Sequence, residues 1–238
     1  MTSTTSKSAY WRGIRNGLPF LFVAIPFATL FGVVATEAGF NILETMGFSV
    51  LIIGGAAQFA AVQQMVDNSP TLIVIAIALA VNLRMAMYSA ALVPYLGSAP
   101  LWQRILLSYV LFDQNYALSV LEYEKRPEMS VGEKVAFFVG AATPIIPAWY
   151  GMTLVGALVG SQIPPEYALD FALPITFLSI MAPAIRTLAH LLAAVVSIAA
   201  ALICAFLPFN LGLLVAAVLA MITGAQTELW LQRRGKWT

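Results

Sequence analysis

The chain has 238 residues, of which 61% are hydrophobic and 10% charged, with a net charge of +1 and a mean hydropathy of +0.87. Soluble domains are roughly 45–50% apolar and about 25% charged, so this composition excludes a soluble protein. The apolar segments are continuous, as in membrane helices, whereas strands of membrane barrels alternate over about 10 residues. We predict an all-α polytopic membrane protein with one transmembrane domain over residues 17–231.

Eight apolar segments are long enough to cross a bilayer, which takes about 20 helical residues. In chain order the predicted spans cover residues 17–38, 47–66, 70–96, 102–121, 135–159, 167–185, 188–207 and 211–231. Seven spans remain an alternative if the second and third merge or if one is re-entrant. Residues 1–16 and 232–238 are predicted to form short cytoplasmic ends.

The basic residues predict the orientation of these spans. With eight spans and a cytoplasmic N-terminus, ten of the twelve Lys and Arg residues are cytoplasmic, Arg104 lies outside and Arg84 lies within the membrane. Cytoplasmic loops carry an excess of Lys and Arg, so both termini are predicted to be cytoplasmic.

Proline and glycine interrupt several predicted helices. Pro26 lies in the first span and should bend or open it, because proline removes a backbone donor. A shift of 121 residues places Pro26 on Pro147 and the glycine-rich centre of the second span near Pro174. This suggests a weak repeat of residues 17–121 and 135–231, which would be parallel if each half has four spans. Matched broken helices mark the binding site in many transporters.

The third predicted span places Asn82 and Arg84 near the middle of an apolar run. An arginine at this depth costs a few kcal/mol or more and requires a partner or a water-filled cavity. Asp113 lies halfway along the fourth span, and consecutive spans are usually antiparallel neighbours. We therefore predict an ion pair between Arg84 and Asp113, either purely stabilising or part of a substrate or proton pathway.

Asn82 and Arg84 cannot both point into one cavity on a regular helix. They are two positions apart, which is about 200° of rotation. Arg84 shares a face with Tyr88, and Asn82 shares another with Met85 and Ser89. Asn82 either forms an interhelical hydrogen bond or belongs to the site.

Further candidate residues surround the other helix interruptions. Gly54, Gly55 and Gln58 form either a helix-packing surface or a broken helix that binds a zwitterion with its free backbone groups. Trp149 follows the Pro147 break and could line a cavity. Asp170 is a membrane-proximal carboxylate that could titrate.

The chain lacks the residue sets of several enzyme classes. Its single Cys and single His exclude an intramolecular disulfide and leave too few ligands for a Cys- or His-based metal site. The sequence contains no GxxxxGK[ST] phosphate loop and no GxSxG nucleophile elbow. We therefore predict a protein that is not an enzyme, without cofactor or metal, and expect transport.

Five segments in register resemble the AzlC family, the large subunits of AzlC/AzlD-type branched-chain amino acid exporters. They are GLPFLFVAIPFATLFG (17–32), GGAAQF (54–59), NLR (82–84), LFDQNYAL (111–118) and LDFALPITFLSI (169–180). The resemblance implies a secondary, proton-coupled exporter of branched-chain or other hydrophobic amino acids in a bacterial inner or plasma membrane. It also implies a small AzlD-type multispan membrane subunit as partner. The alternative is a channel or a non-transporting structural subunit.

The expected mechanism follows from this resemblance together with the polar residues. Arg84 would attract the substrate carboxylate or hold Asp113 ionised, and Asp113 and Asp170 would be the proton-coupling candidates. The remaining site residues would form the polar ends of an apolar pocket: Gly54, Gly55, Gln58, Asn82, Trp149 and the backbone near Pro26 and Pro147. Gln114 follows Asp113 where an acidic residue is expected in many members, which weakens mechanisms with two adjacent carboxylates.

Overall fold

The computed structural model describes residues 5–160, 185, 187–208 and 211–233, and every regular element in them is helical. Four helical stretches in these residues are long and apolar enough to cross a membrane: Ser6–Glu37, Thr71–Leu96, Val131–Gly160 and Leu211–Arg233. The predicted all-α polytopic class is thereby confirmed. Residues 167–184 of the predicted sixth span, including Asp170, lie outside the described residues.

The described residues contain eleven α-helices and one 3₁₀ turn. They are α1 (Ser6–Gly17), the 3₁₀ turn (Leu18–Phe20), α2 (Leu21–Glu37), α3 (Ile42–Leu51), α4 (Gly55–Val66), α5 (Thr71–Leu96), α6 (Leu101–Tyr109), α7 (Asp113–Lys125), α8 (Val131–Ala142), α9 (Ile145–Gly160), α10 (Leu188–Ile203) and α11 (Leu211–Arg233). The chain divides into two compact units, one formed by Met1–Val62 with Val81–Leu169 and the other by Gln63–Ala80 with Asp170–Thr238.

The first long helical stretch begins earlier than predicted and is interrupted elsewhere. It starts at Ser6 rather than Gly17, because the Thr5 side chain accepts a hydrogen bond from Ser8 N and caps the first turn. The 3₁₀ turn interrupts it next to Pro19, whereas α2 continues through Pro26. Pro26 was predicted to bend or open this helix; it does not open it, and the bend stays a prediction.

The stretch α1–α2 packs closely along α8–α9. A methyl group on Gly13 would lie 2.7 Å from Ala141 N, and one on Gly156 would overlap the carbonyl oxygen of Thr29. Later residues of α1–α2 contact later residues of α8–α9, so the two stretches run in parallel. Small residues at such an interface allow the backbones to approach, which supports helix association in membranes.

The α8–α9 stretch is organised like α1–α2. Its two helices are separated by Thr143 and Pro144, as α1 and α2 are separated by the turn containing Pro19. Pro147 lies within the first turn of α9. The two interruptions thus occur next to Pro19 and Pro144 rather than at the predicted positions of Pro26 and Pro147.

One end of the first unit carries a group of basic residues, and we call it the basic end. Arg12 Nε lies 3.0 Å from Glu122 Oε1, and Arg126 Nε lies 3.3 Å from the same oxygen. Lys134 Nζ lies 5.5 Å from the centre of the Tyr95 ring. The starts of α1 and α8 and the ends of α5 and α7 therefore meet at this end.

Helices α6 and α7 form a hairpin that enters from the basic end and returns to it. The Tyr88 and Tyr116 rings stack with centroids 4.2 Å apart, and those of Tyr95 and Tyr123 are 5.3 Å apart. The later tyrosine of α5 contacts the later tyrosine of α7, so these two helices run in the same direction. Helix α6, which connects them in the chain, therefore runs in the opposite direction. The predicted crossing by residues 102–121 is therefore wrong, and Arg104 lies toward the basic end rather than on the opposite side.

A second hairpin, α3–α4, enters from the other end of the first unit. Phe59 of α4 packs on Phe27 and on Phe31, with ring centroids 5.0 and 5.6 Å away. Gly55, one turn earlier, lies against the Phe27 ring. Helix α4 therefore runs toward the C-terminal end of α2. Helix α3 also begins at that end, so α3 and α4 form a hairpin. The predicted crossing by residues 47–66 is not observed.

The second unit contains α10 and α11, which pack against each other. A methyl group on Gly212 would lie 2.5 Å from Cys204 O, so this glycine allows close contact of the two backbones.

The corner between α4 and α5 contains Asn68, whose φ of 53° is left-handed, as is common where helices end. Ser69 Oγ donates to Gln64 Oε1 at 3.0 Å in the same corner.

The close packing of α2 on α9 can be tested with two alanine substitutions on α9. Both Gly151→Ala and Gly156→Ala gain similar intrinsic helix propensity, about 1 kcal/mol. Only Gly156 meets backbone, since nothing lies within 4 Å of a methyl group on Gly151. We expect Gly156→Ala to be less stable than Gly151→Ala by about 1–3 kcal/mol, the usual cost of overpacking. Thermal unfolding in detergent measures the difference, and equal midpoints would contradict the packing.

Candidate functional site

Four helix ends meet in the first unit, where the α3–α4 and α6–α7 hairpins turn. Tyr109, the last residue of α6, donates its hydroxyl to Val50 O at 2.6 Å, near the end of α3. The same hydroxyl lies 2.8 Å from the Tyr150 hydroxyl of α9. Non-helical backbone at membrane depth is tolerated where it is buried in protein or lines a cavity. The two breaks therefore form one interrupted region held to α9.

Arg84 and Asp113 form an ion pair beside the α6–α7 break. Arg84 Nη1 lies 3.2 Å from Asp113 Oδ2, and the Tyr88 hydroxyl donates to Asp113 Oδ1 at 3.0 Å. Asp113 is the first residue of α7, where the helix dipole also favours a carboxylate. The predicted pair is confirmed, although α5 and α7 are parallel rather than antiparallel. The side chains remain 34% and 40% exposed, so the protein does not fully enclose either charge.

Asn82 faces a different neighbour from Arg84, as the helical geometry predicted. Its Oδ1 would lie 3.2 Å from a methyl group on Gly54, at the α3–α4 break. Helix α5 is regular over Thr71–Leu96, so no distortion brings the two side chains together. Asn82 thus adjoins one break and Arg84 the other.

The glycine pair admits aromatic side chains to the start of α4. A methyl group on Gly55 would overlap the Phe27 ring and would lie 2.8 Å from Trp149 Cη2. Gln58 N donates to Gly54 O at 3.0 Å and begins the helical hydrogen bonding of α4. The first N–H groups of a helix have no partner within it, so this end can bind an acceptor. A side chain at position 55 would collide with these aromatic rings, so glycine is required at the N-terminus of α4.

A buried polar cluster ties α3, α4 and α9 together. Ser49 Oγ lies 3.0 Å from Thr153 Oγ1, and Gln58 Nε2 donates to Ser49 Oγ at 3.4 Å. All three side chains are fully buried. Buried polar groups in membranes are satisfied by such contacts between helices.

Five buried polar atoms beside the breaks have no hydrogen-bond partner among the described residues. They are Gln58 Oε1, Asn82 Oδ1, Arg84 Nε, Asn115 Oδ1 and Trp149 Nε1. Most buried polar atoms in proteins are paired, because an unpaired one costs about 1–3 kcal/mol. Two of these atoms are donors and three are acceptors. The two breaks therefore offer both donors and acceptors to ligands.

The structure brings together most of the residues predicted for the site. Those near the breaks are Gly54, Gly55, Gln58, Asn82, Arg84, Asp113 and Trp149. Pro26 and Pro147 are exposed, because α2 and α9 continue past them with these side chains directed outward. Asp170 lies outside the described residues.

Sequence reasoning missed the contacts that join the breaks. The link from Tyr109 to Val50 and Tyr150 was not predicted, nor was the pairing of Ser49 with Thr153. The sequence feature that could have indicated these contacts is the set of hydroxyl side chains within apolar segments. Within the described residues, no group of three or more His, Cys, Asp or Glu could hold a metal ion.

Similarity to known proteins identifies the family of this chain. The profile of the family described as AzlC protein matches residues 19–163, more than half of the chain. The chain belongs to the AzlC family. An uncharacterized membrane protein of Archaeoglobus fulgidus is 32% identical over 186 residues, or 76% of this chain and 78% of that protein.

Two further relatives are also membrane proteins. The inner membrane protein YgaZ of Escherichia coli is 27% identical over 74% of this chain and 73% of its own length. An uncharacterized membrane protein of Helicobacter pylori is 26% identical over 66% of this chain and 64% of its own length. No solved structure matches the chain.

AzlC membership supports a membrane transport-related role, and the family is not an enzyme family. The matched residues run from the turn before α2 to just beyond the end of α9. They therefore include both hairpins, the Arg84–Asp113 pair and Trp149.

A double-mutant cycle tests the energetic coupling of Arg84 and Asp113. Arg84→Gln and Asp113→Asn should each destabilise the protein, because each leaves the other charge without its partner. The double variant should then be more stable than the sum of the single effects predicts, by at least about 0.5 kcal/mol. Thermal unfolding in detergent provides the measurement.

The control cycle combines Asp113→Asn with Arg126→Gln. Arg126 lies at the other end of α7, about 20 Å away at 1.5 Å per residue. These two effects should add within about 0.5 kcal/mol. Additivity in the Arg84 cycle as well would show that the ion pair contributes no coupling.

Proposed function

We propose that the protein is a secondary active transporter that exports branched-chain or other hydrophobic amino acids, coupled to protons, together with a small AzlD-type membrane subunit. The observation that carries this proposal is the Arg84–Asp113 pair, partly exposed beside the α6–α7 break in an AzlC-family membrane protein. Ionisable residues inside membranes usually mark substrate or ion pathways. Broken helices supply backbone groups for coordinating substrates.

The polar groups at the breaks suit the charged ends of amino acids. The Arg84 guanidinium can bind a carboxylate, and its Nε has no partner among the described residues while Nη1 contacts Asp113. Gln58 Oε1 and Asn82 Oδ1 are acceptors at the other break that can receive hydrogen bonds from an ammonium group. Because Asn82 and Arg84 lie on different faces of α5, one amino acid does not contact both side chains at once.

The aromatic side chains beside Gly55 suit an apolar substrate side chain. Phe27 and Trp149 have ring centroids 5.9 Å apart, and Phe59 packs edge-on against Phe27 at 5.0 Å. Each buried methylene contributes only about 0.8 kcal/mol, so leucine, isoleucine and valine should differ modestly in affinity. We therefore expect broad selectivity among hydrophobic amino acids.

Proton coupling is assigned to Asp113. Its two oxygens bind Arg84 and Tyr88, so the substrate carboxylate and Asp113 compete for the same guanidinium. Substrate binding to Arg84 would leave the Asp113 carboxyl group with Tyr88 alone, which links substrate binding to the proton-coupling residue. Movement of the hairpins relative to α9 would then expose the site alternately to the two sides of the membrane.

The basic end is assigned to the cytoplasm. Arg12, Arg126 and Lys134 lie there, and Arg104 lies toward the same end. Cytoplasmic segments carry the excess of Lys and Arg. Replacing two of the eight predicted crossings by hairpins leaves six predicted crossings, an even number that agrees with cytoplasmic termini.

Transport by the purified protein, with and without its co-expressed small subunit, tests the proposal. We expect vesicles to accumulate leucine, isoleucine and valine against their gradients when a proton gradient is imposed. Arg84→Gln should raise the KM for leucine at least about tenfold, which corresponds to about 1.4 kcal/mol. Asp113→Asn should abolish proton-driven accumulation while leucine exchange persists.

Arg126→Gln is the matched control, because it removes a basic residue that lies away from the breaks, and it should transport like the unmodified protein. Passive flux without accumulation would instead support the channel alternative. Unchanged kinetics of Arg84→Gln would contradict the assigned role of Arg84.

A further inference from the structure

A cavity of about 530 Å³ lies between the second half of α5 and α6, within the first unit. It extends from the α5–α6 turn at Gly97 to Leu111, which lies in the α6–α7 break two residues before Asp113. The cavity therefore runs from the basic end to the neighbourhood of the ion pair. Its apolar wall is formed by Leu92, Leu96, Leu101, Leu107, Leu111 and Phe138.

Three polar side chains also line this cavity. Arg104 is exposed at the end of the first turn of α6, and Ser89 and Ser108 line the cavity from α5 and α6 respectively. Ser89 directly follows Tyr88, the residue that donates to Asp113. An apolar cavity with one cation and a few hydroxyls suits a small ligand with an anionic group and an apolar body.

We propose that this cavity is the access site through which hydrophobic amino acids enter from the basic end. The cavity volume falls within the range of about 300–1,000 Å³ typical of small-molecule sites. Arg104 attracts the carboxylate, the leucines and Phe138 hold the apolar side chain, and Leu111 marks the passage to the Arg84–Asp113 pair. This inference rests on the proposed function, because it assigns a route to the same substrate.

The access site requires an apolar side chain on its ligand. Leucine and glycine carry the same ammonium and carboxylate, but only leucine can use the apolar wall. Leucine should therefore occupy the cavity at concentrations at which glycine does not. Arg104→Gln should raise the KM for leucine without changing kcat, and Arg104→Lys should restore it, because Arg104 acts on binding alone.

Thiol labelling tests the access site without relying on transport. In a Cys204→Ser background, which removes the single native cysteine, Ser108→Cys is exposed to a membrane-impermeant methanethiosulfonate reagent from each side of oriented vesicles. We expect labelling from the basic side only. Leucine at ten times its dissociation constant should slow labelling about 11-fold, whereas the same concentration of glycine should not.

Two further variants keep the result interpretable. Ser119→Cys is the matched control, because Ser119 lies fully buried in α7 of the same hairpin and should stay unlabelled. Ser89→Cys tests the opposite wall of the cavity if Ser108→Cys does not fold. Labelling from the other side only, or no labelling of either cavity variant, would overturn the access site.

The effect of leucine on the labelling rate distinguishes failure of the access site from failure of the proposed function. If leucine slows labelling but vesicles do not transport it, the access site stands and the transport proposal fails. If vesicles transport leucine but labelling proceeds at the same rate with leucine as without it, the access site fails alone. Protection by a short-chain phospholipid but not by leucine would identify a lipid site and would also overturn the inference.

Discussion

The positive charge of Arg84 sets the main constraint on the first unit. A guanidinium within an apolar helix needs a partner at the same depth, and Asp113 supplies it from the first turn of α7. That position is available only because α6 ends early and the chain turns back. Tyr88, one turn after Arg84 on α5, completes the contacts of the carboxylate. The ion pair therefore depends on the α6–α7 break.

The rest of the first unit holds these breaks in place. Parallel packing of α1–α2 on α8–α9 through glycines forms a scaffold in which Phe27 and Trp149 lie side by side. The α3–α4 hairpin attaches to α9 through the contact between Ser49 and Thr153. Tyr109 then joins the two hairpins through Val50 O. Two hairpins entering from opposite ends thus meet beside one aromatic wall.

Sequence reasoning predicted the helical class and the Arg84–Asp113 pair, because both follow from local composition and the cost of an unpaired charge. It did not predict that the chain reverses direction within residues 47–66 and 102–121. An apolar window of about 20 residues does not distinguish one crossing helix from two half-helices that turn back. The break at Val110–Phe112 contains neither Gly nor Pro, and Pro26 lies in a continuous helix. The break after Leu51 was signalled by Gly54 and Gly55.

The central claim is that α6–α7 returns to the end from which it started, and the accessibility of its two ends tests it most directly. Ser98 precedes α6 and Glu128 follows α7, and both are exposed. Single cysteines at these positions, without Cys204, are treated with an impermeant thiol reagent from each side of oriented vesicles. The hairpin predicts that Ser98→Cys and Glu128→Cys react from the same side. Reaction from opposite sides would show a crossing helix and contradict the account.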